Sequence, residues 1–238
     1  ILKKFKMDDC KPINTPIDCG VKLSKYGEGK DVDPTFFKSL VGSLRYLTCT
    51  KPDILFVVGF LSRYMESPTT THLKVAKRIL RYIKGTINFG LFYSSSNEYK
   101  LVGYSDSNWD GDMDDRKSTT GFVFFMEDIA FTWMLKKQPI VTLSTCGAEY
   151  VTATSCVCHA IWLKKLLKPT NIYVDNQSAI ALAKILVFHD RSKHIDTHYH
   201  YIREFIARKD VHIKYVKSQE QAADIFTKPL KNEDLVKM

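Results

Sequence analysis

The sequence has no apolar run long enough to span a bilayer. Its most apolar stretch, residues 54–61, is interrupted by Gly59 and followed by Arg63, whereas a membrane span needs about 20 apolar residues. The 11 glycines and 8 prolines are scattered, so the chain has no low-complexity tract or linker composition. The 238 residues are 45% hydrophobic and 12% aromatic, which excludes disorder and a fibrous repeat. We expect one substantial core, or one core and a smaller helical unit.

Cysteine is also scarce, with six residues in the chain. Cys156 and Cys158 are separated by one residue and not by the two of a zinc knuckle or a thioredoxin-like site. We therefore expect reduced, mostly buried thiols in a cytoplasmic or nuclear protein that is not secreted and has no membrane partner. The chain starts at Ile1, without an initiator methionine or a signal-peptide pattern, so we also expect it to be a piece of a longer chain.

The net charge of +9 is unevenly distributed. Residues 1–95 hold 16 Lys and Arg against 8 Asp and Glu, whereas residues 96–238 hold 19 against 18. The basic excess therefore belongs to the first part of the chain. This pattern favours a surface that binds a polyanion beside a region whose carboxylates have another role.

Apolar residues at three- and four-residue steps predict three helices between residue 34 and Gly85. The third, from Thr71 to about Lys84, carries cations on a face separate from its apolar stripe, with no acid among them. Such a face can be an ordinary solvated surface, but mutual repulsion of its charges favours a nucleic-acid phosphate backbone as its partner. The cations of this predicted nucleic-acid-binding face are Lys74, Lys77, Arg78, Arg81 and Lys84.

The pattern changes to strands after residue 96. Short β-rich segments at 101–105, 121–125 and 130–133 predict an antiparallel meander, which a long helix from Ser144 to Leu167 follows. Strands at 171–175 and 211–216 alternate with helices at 177–185, 192–208 and 219–230. This order predicts an α/β or α+β domain with a mixed five-stranded sheet and helices on its faces.

Four acids lie at strand ends or just inside helices, among apolar or small neighbours: Asp106, Glu149, Asp175 and Asp224. The fourth strand of such a sheet can lie beside the first, which would place Asp106 and Asp175 at one edge. Buried carboxylates repel one another unless cations neutralise them, and Mg²⁺ is the hard ion that suits oxygen ligands and substrate phosphates. Four ordinary surface acids would show the same spacing, so the pattern alone leaves both interpretations open.

Several motifs closely resemble the RNase H domain of copia-type LTR retrotransposon Pol polyproteins. In the second part of the chain these are residues 104–111 (YSDSNWDG), 116–121 (RKSTTG), 136–139 (KKQP), 148–150 (AEY), 174–179 (VDNQSA), 193–196 (KHID) and 223–230 (ADIFTKPL). Residues 41–47, 51–54 and 73–86 resemble the segment that links the reverse transcriptase palm to RNase H in the same polyproteins. The resemblance implies a helical reverse transcriptase segment, thumb- or connection-like, over residues 1–95 and an RNase H-like domain over residues 96–238.

The resemblance implies a metal-dependent ribonuclease H that hydrolyses the RNA strand of RNA–DNA hybrids. Asp106, Glu149, Asp175 and Asp224 would be its catalytic, metal-binding carboxylates, with two Mg²⁺ ions as cofactors and Mn²⁺ as a possible substitute. The partners would be the hybrid and the upstream reverse transcriptase palm and fingers, or a second Pol chain. The family works in cytoplasmic virus-like particles before its DNA reaches the nucleus. Polymerase activity is not expected, because residues 173–176 (YVDN) lack the second carboxylate of a polymerase turn.

The sequence also departs from this family. Gly147 stands where relatives usually carry an acid, and Ile185 and Leu186 stand where they usually show Asn-Pro. Many cellular relatives also have a histidine on a loop before the last aspartate, whereas residues 216–220 lack one and His212 lies within the predicted strand. A catalytically inactive nucleic-acid-binding fragment of a degenerate retroelement is therefore the alternative. A structural partner that docks a polymerase subunit would instead require an exposed apolar patch on the helices between residues 37 and 65.

Overall fold

The computed structural model describes residues 1–26, 29–91, 93, 100–164, 170–184, 195 and 197–229. These residues form two compact units, which we call the N-terminal unit (residues 1–91 with 228 and 229) and the sheet unit (residues 92–227). The predicted domain boundary at residues 95 and 96 lies outside the described residues, as do Ile185 and Leu186. Within the described part of the chain, no helix is long and apolar enough to cross a membrane.

The N-terminal unit is helical, as predicted. Helix α1 (Pro34–Leu47) starts at Asp33, whose carboxylate accepts hydrogen bonds from the backbone N–H groups of Thr35 and Phe36. Helix α2 (Leu55–Leu61) lies between two short 3-10 turns. Helix α3 (Thr70–Gly85) is capped by His72, whose Nδ1 accepts from the N–H of Thr69 at 3.0 Å. Apolar side chains of all three helices share one core, which includes Phe37, Leu40, Leu44, Leu61, Ile79 and Leu80.

The sheet unit contains five strands in the order β3-β2-β1-β4-β5. Strands β1 (Leu101–Asn108), β2 (Thr119–Met126) and β3 (Ile129–Lys137) form the antiparallel meander. Strand β4 (Thr170–Val174) pairs in parallel with β1, and β5 (Val211–Tyr215) pairs in parallel with β4. The predicted mixed five-stranded sheet is therefore confirmed.

Helix α4 (Thr145–Lys164) packs on the sheet and buries Tyr150 and Val157 against strand residues such as Phe122 and Ile172. Helix α5 (Gln177–Lys184) follows β4, and α6 (Ile202–Ala207) precedes β5 after a 3-10 turn at Thr197–Tyr201. Flanking helices thus cover the sheet, as predicted. Residues 165–167 and 192–194 of two predicted helices lie outside the described residues.

Two sequence-based expectations are wrong. The described part of the helix predicted over 219–230 forms two short 3-10 turns, Ser218–Glu220 and Ala222–Phe226, because the side chains of Gln221 and Thr227 bond to β1. The cysteines are free, as expected, but Cys156 alone among the six is buried, and Cys19, Cys49 and Cys158 are exposed.

Candidate active site

Two of the four predicted acids meet because β1 and β4 are parallel neighbours. Ser105 of β1 is paired with Val174 of β4, so the next residues, Asp106 and Asp175, lie side by side at the same edge of the sheet. Asp106 is buried, with 5% of its surface exposed, and Asp175 is half-buried. This adjacency is the one that the strand order predicts.

A third acid, Asp224, reaches the same edge on the 3-10 turn Ala222–Phe226. The buried side chain of Gln221 fixes the start of this turn, because Nε2 donates to the carbonyl oxygen of Ser105 at 3.0 Å and Oε1 accepts from the N–H of Ala223 at 3.2 Å. Carboxylate oxygens of Asp106, Asp175 and Asp224 all lie within 4.8 Å of one another. Three carboxylates from distant parts of the sequence thus form one cluster.

The fourth acid, Glu149, lies in the second turn of α4 and is 5% exposed. Its Oε1 accepts hydrogen bonds from the backbone N–H and the hydroxyl group of Ser107, at 2.9 and 2.8 Å. Its Oε2 is buried and has no hydrogen-bond partner in the described part of the chain. Burial raises the pKa of Glu149 well above its usual range, and the nearby charges of Asp106 and Asp175 raise it further, while the bonds from Ser107 oppose the shift.

A buried polar network holds the first turns of α4 against the sheet. Nε2 of Gln138, just after β3, lies 3.1 Å from the carbonyl oxygen of Ala148 and 3.2 Å from the hydroxyl groups of Thr120 and Thr152. The two threonine hydroxyls lie 3.0 Å apart. This network fixes the helix position next to Glu149. Ser107 and Gln138 were not among the predicted site residues, although both belong to the motifs quoted above, because their roles depend on contacts between distant segments.

The carboxylate set fits a hard divalent cation. Mg²⁺ binds oxygen atoms at about 2.0–2.1 Å, so ligands on opposite sides of one ion lie roughly 4.2 Å apart, close to the spread of the Asp106, Asp175 and Asp224 oxygens. The unpartnered Oε2 of Glu149 is a further carboxylate oxygen that can bind a cation in the same region. Burial, and then the charges of Asp106 and Asp175, raise the pKa of Glu149, so the ionised form of this carboxyl group is unfavourable without a nearby cation.

The predicted nucleic-acid-binding face of α3 is divided between two roles. The guanidinium group of Arg78 pairs with Asp18 at 2.6 Å and donates to Thr15 at 2.9 Å. Arg81 and Lys84 donate to the backbone carbonyl groups of residues 11 and 8. These three cations bind the segment 8–18 of their own chain, whereas Lys74 and Lys77 are exposed.

Comparison with known proteins shows a close relationship. The chain is 40% identical, over 97% of its length, to the Retrovirus-related Pol polyprotein from transposon RE1 of Arabidopsis thaliana. It is 39% identical, over 96% of its length, to the corresponding polyprotein from transposon TNT 1-94 of Nicotiana tabacum. The chain belongs to the copia-type retrotransposon Pol family. It matches only 16% and 18% of the length of these two polyproteins. No protein-family model matches this copia-type Pol chain.

Solved structures resemble the copia-type Pol chain in fold. The foamy viral protease-reverse transcriptase in complex with dsDNA matches 81% of this chain and 39% of its own, with a TM-score of 0.53 and 15% identity. The N-terminal RNase H domain of rv2228c from Mycobacterium tuberculosis matches 55% of this chain and 91% of its own, with a TM-score of 0.42 and 14% identity. The sheet unit has the mixed five-stranded sheet with flanking helices that the sequence predicts, and the likeness to this reverse transcriptase is one of fold.

Proposed function

We propose that this chain is the RNase H part of a copia-type reverse transcriptase, a metal-dependent endonuclease that hydrolyses the RNA strand of RNA–DNA hybrids. The observation that carries the proposal is the cluster of Asp106, Asp175 and Asp224, with Glu149 beside it, at one edge of the sheet. Membership of the Pol family supports the same function, and the RNase H-like fold is consistent with it.

In this proposal Asp106 and Asp175 hold the cations, Glu149 ligates one of them, and Asp224 completes the second site. Two bound Mg²⁺ ions, or Mn²⁺, would supply Lewis-acid stabilisation of the scissile phosphate and lower the pKa of the attacking water. Ser107 donates both of its hydrogen bonds to Oε1 of Glu149, which leaves Oε2 to bind a cation. Burial and the neighbouring acids raise the pKa of Glu149, so a cation bound at Oε2 would displace any proton that this carboxyl group carries.

The cations by which the N-terminal unit would bind nucleic acid lie on α3. Lys74 and Lys77 are exposed and are the members of the predicted face that can reach a phosphate backbone without releasing residues 8–18. We propose that residues 1–95 are the C-terminal reverse transcriptase segment and that Arg78, Arg81 and Lys84 contribute a positive field behind these two lysines. The remaining reverse transcriptase, or a second Pol chain, would be the protein partner.

A nucleic-acid-binding fragment without activity is the second candidate, and Gly147 is one of the departures from the family that favour it. In the structure Gly147 lies in the first turn of α4, where its N–H donates to the hydroxyl group of Ser144 at 3.1 Å. The helix therefore begins normally and presents Glu149 without an acid at position 147. The docking alternative required an apolar patch on residues 37–65, and Tyr46 is the one large hydrophobic residue of that described stretch that is exposed.

Cleavage of an end-labelled RNA–DNA hybrid by the purified chain tests the proposal. We expect the RNA strand to be cut with Mg²⁺ or Mn²⁺, to remain intact with a chelator, and to remain intact with an Asp106→Asn variant that binds the hybrid normally. A hybrid that binds but stays intact with every metal would instead support the inactive fragment. A parallel assay with Lys77→Ala, which leaves the carboxylates unchanged, should show weaker binding with cleavage at saturation preserved.

A further inference from the structure

Thr227 connects two of the clustered acids, although it is not an acid itself. It directly follows the turn that carries Asp224, and its side chain is fully buried. Its hydroxyl group donates a hydrogen bond to Oδ2 of Asp106, 121 residues earlier in the chain, and lies 3.3 Å from the carbonyl oxygen of Asp224. A hydroxyl group has one proton, and a carboxylate is the stronger acceptor, so the proton is directed to Asp106.

The room for this contact comes from Gly121. This glycine is the β2 partner of Asp106 in the antiparallel ladder. A Cβ atom at position 121 would lie 2.7 Å from Cγ2 of Thr227 and 2.8 Å from Cβ of Phe226. Real Cβ atoms essentially never approach other atoms so closely, so any larger residue at this position would move the segment that carries Thr227. A glycine inside a strand often marks such a close approach of another part of the chain.

The turn with Asp224 is therefore attached to β1 at both ends. Gln221 binds the carbonyl oxygen of Ser105 at the start of the turn, and Thr227 binds the carboxylate of Asp106 at its end. Because these contacts involve successive β1 residues, together they fix the position of the turn along the strand. The bond from Thr227 also occupies Oδ2 of Asp106 on one side and so restricts rotation of the carboxylate.

We propose that Thr227 is a positioning residue whose hydroxyl group holds the Asp106 carboxylate in its cation-binding orientation and fixes the Asp224 turn on β1, in the space left by Gly121. This inference rests on the proposed metal-binding function of the acid cluster. Hydrogen-bond partners of metal ligands typically change metal affinity by about 10–100-fold when they are removed. An ordinary buried threonine would change stability and leave cation affinity unaltered.

Mn²⁺ binding to the full chain, measured by electron paramagnetic resonance, tests the proposal beside thermal unfolding in chelator. We expect Thr227→Val to weaken Mn²⁺ binding by about 10–100-fold, and Thr227→Ser, which keeps the hydroxyl group, to stay within about threefold of the wild type. Gly121→Ala should weaken binding as well, because it displaces Thr227. The matched control is Thr154→Val, which removes another buried hydroxyl group, one whose oxygen lies 2.9 and 3.0 Å from the carbonyl oxygens of Tyr150 and Tyr199. It should lose stability and keep Mn²⁺ affinity.

Wild-type affinity in Thr227→Val, or a loss in Thr227→Ser as large as that in Thr227→Val, would overturn the positioning role while the metal site stands. Equal losses in Thr227→Val and Thr154→Val would overturn it too, because the effect would then follow stability. A wild-type chain that binds no Mn²⁺ would overturn the proposed metal site itself. If Thr227→Val does not fold, the Mn²⁺ affinities of Gly121→Ala and Thr227→Ser test the proposal in its place.

Discussion

Replacing Asp106 with asparagine should stabilise the metal-free protein while it removes metal binding. Carboxylate oxygens of Asp106, Asp175 and Asp224 lie within 4.8 Å of one another. At an effective dielectric constant of about 20, two unit charges 4.8 Å apart repel by roughly 3.5 kcal/mol. Solvent at the half-buried Asp175 and Asp224 screens this repulsion, so we expect a net gain of about 1–2 kcal/mol.

The assay is calorimetric unfolding in chelator at about pH 7.5. A gain of 1 kcal/mol raises Tm by about 2–4 °C in a domain of 150–250 residues and by more in a smaller one. The control is Asp128→Asn, at an exposed position between β2 and β3, which should change stability by less than about 0.5 kcal/mol. Added Mg²⁺ should then raise the Tm of the wild type and of the control, but not that of Asp106→Asn. A lower Tm for Asp106→Asn than for the wild type in chelator would refute the reasoning that the acids repel one another.

Four further outcomes follow from the contacts. Because burial and neighbouring acids raise the pKa of Glu149, the folded state keeps a proton that the unfolded state releases above about pH 4.5. The stability of the metal-free protein should therefore fall as the pH rises from this value to the raised pKa of the folded state. Glu149→Gln should flatten that slope in unfolding experiments from about pH 5 to 8. Arg78→Ala should destabilise the N-terminal unit by about 0.5–1.5 kcal/mol in urea unfolding, because it loses Asp18. Lys77→Ala should leave stability unchanged but lower the salt dependence of hybrid binding by about one phosphate contact. A loss of stability in Lys77→Ala with unchanged stability in Arg78→Ala would contradict the division of the α3 face into structural and exposed cations. Gln138→Leu should cost about 1–3 kcal/mol, because it leaves buried acceptors beside α4 without a donor, and an unchanged urea midpoint would contradict that role.

The sheet could be predicted because its signals are local. Short segments rich in β-branched, aromatic and other apolar residues mark the strands, and the order of strands and helices restricts how they can pair. The adjacency of Asp106 and Asp175 follows from that order, since parallel neighbours place their carboxyl ends at the same edge. The strand β1 extends to Asn108, three residues beyond its predicted end, so Asp106 lies inside the strand and not at its end.

The turn around Asp224 could not be predicted, because its conformation depends on contacts across more than one hundred residues. The sequence over 219–230 indicates a short helix that Lys228 and Pro229 end, but the bonds of Gln221 and Thr227 to β1 hold two 3-10 turns instead. Gly121 carries no local signal of its role, since the space it leaves is filled by residues 226 and 227.

The basic face of α3 shows a similar limit. The helix and its stripe of cations are readable from the sequence, and α3 begins and ends within one residue of the prediction. The return of residues 8–18 across this helix has no periodicity that a sequence reveals, yet it occupies Arg78, Arg81 and Lys84. Whether a cation serves the fold or a partner therefore depends on tertiary contacts and not on helical spacing.

The most direct test of the central claim is single-turnover cleavage of one RNA–DNA hybrid with the RNA strand and the DNA strand labelled separately. The proposed function predicts Mg²⁺-dependent cutting of the RNA strand alone, at a rate that Asp106→Asn reduces to background. Cutting of both strands, or of neither strand while the hybrid is bound, would contradict the assignment of this site as a ribonuclease H centre.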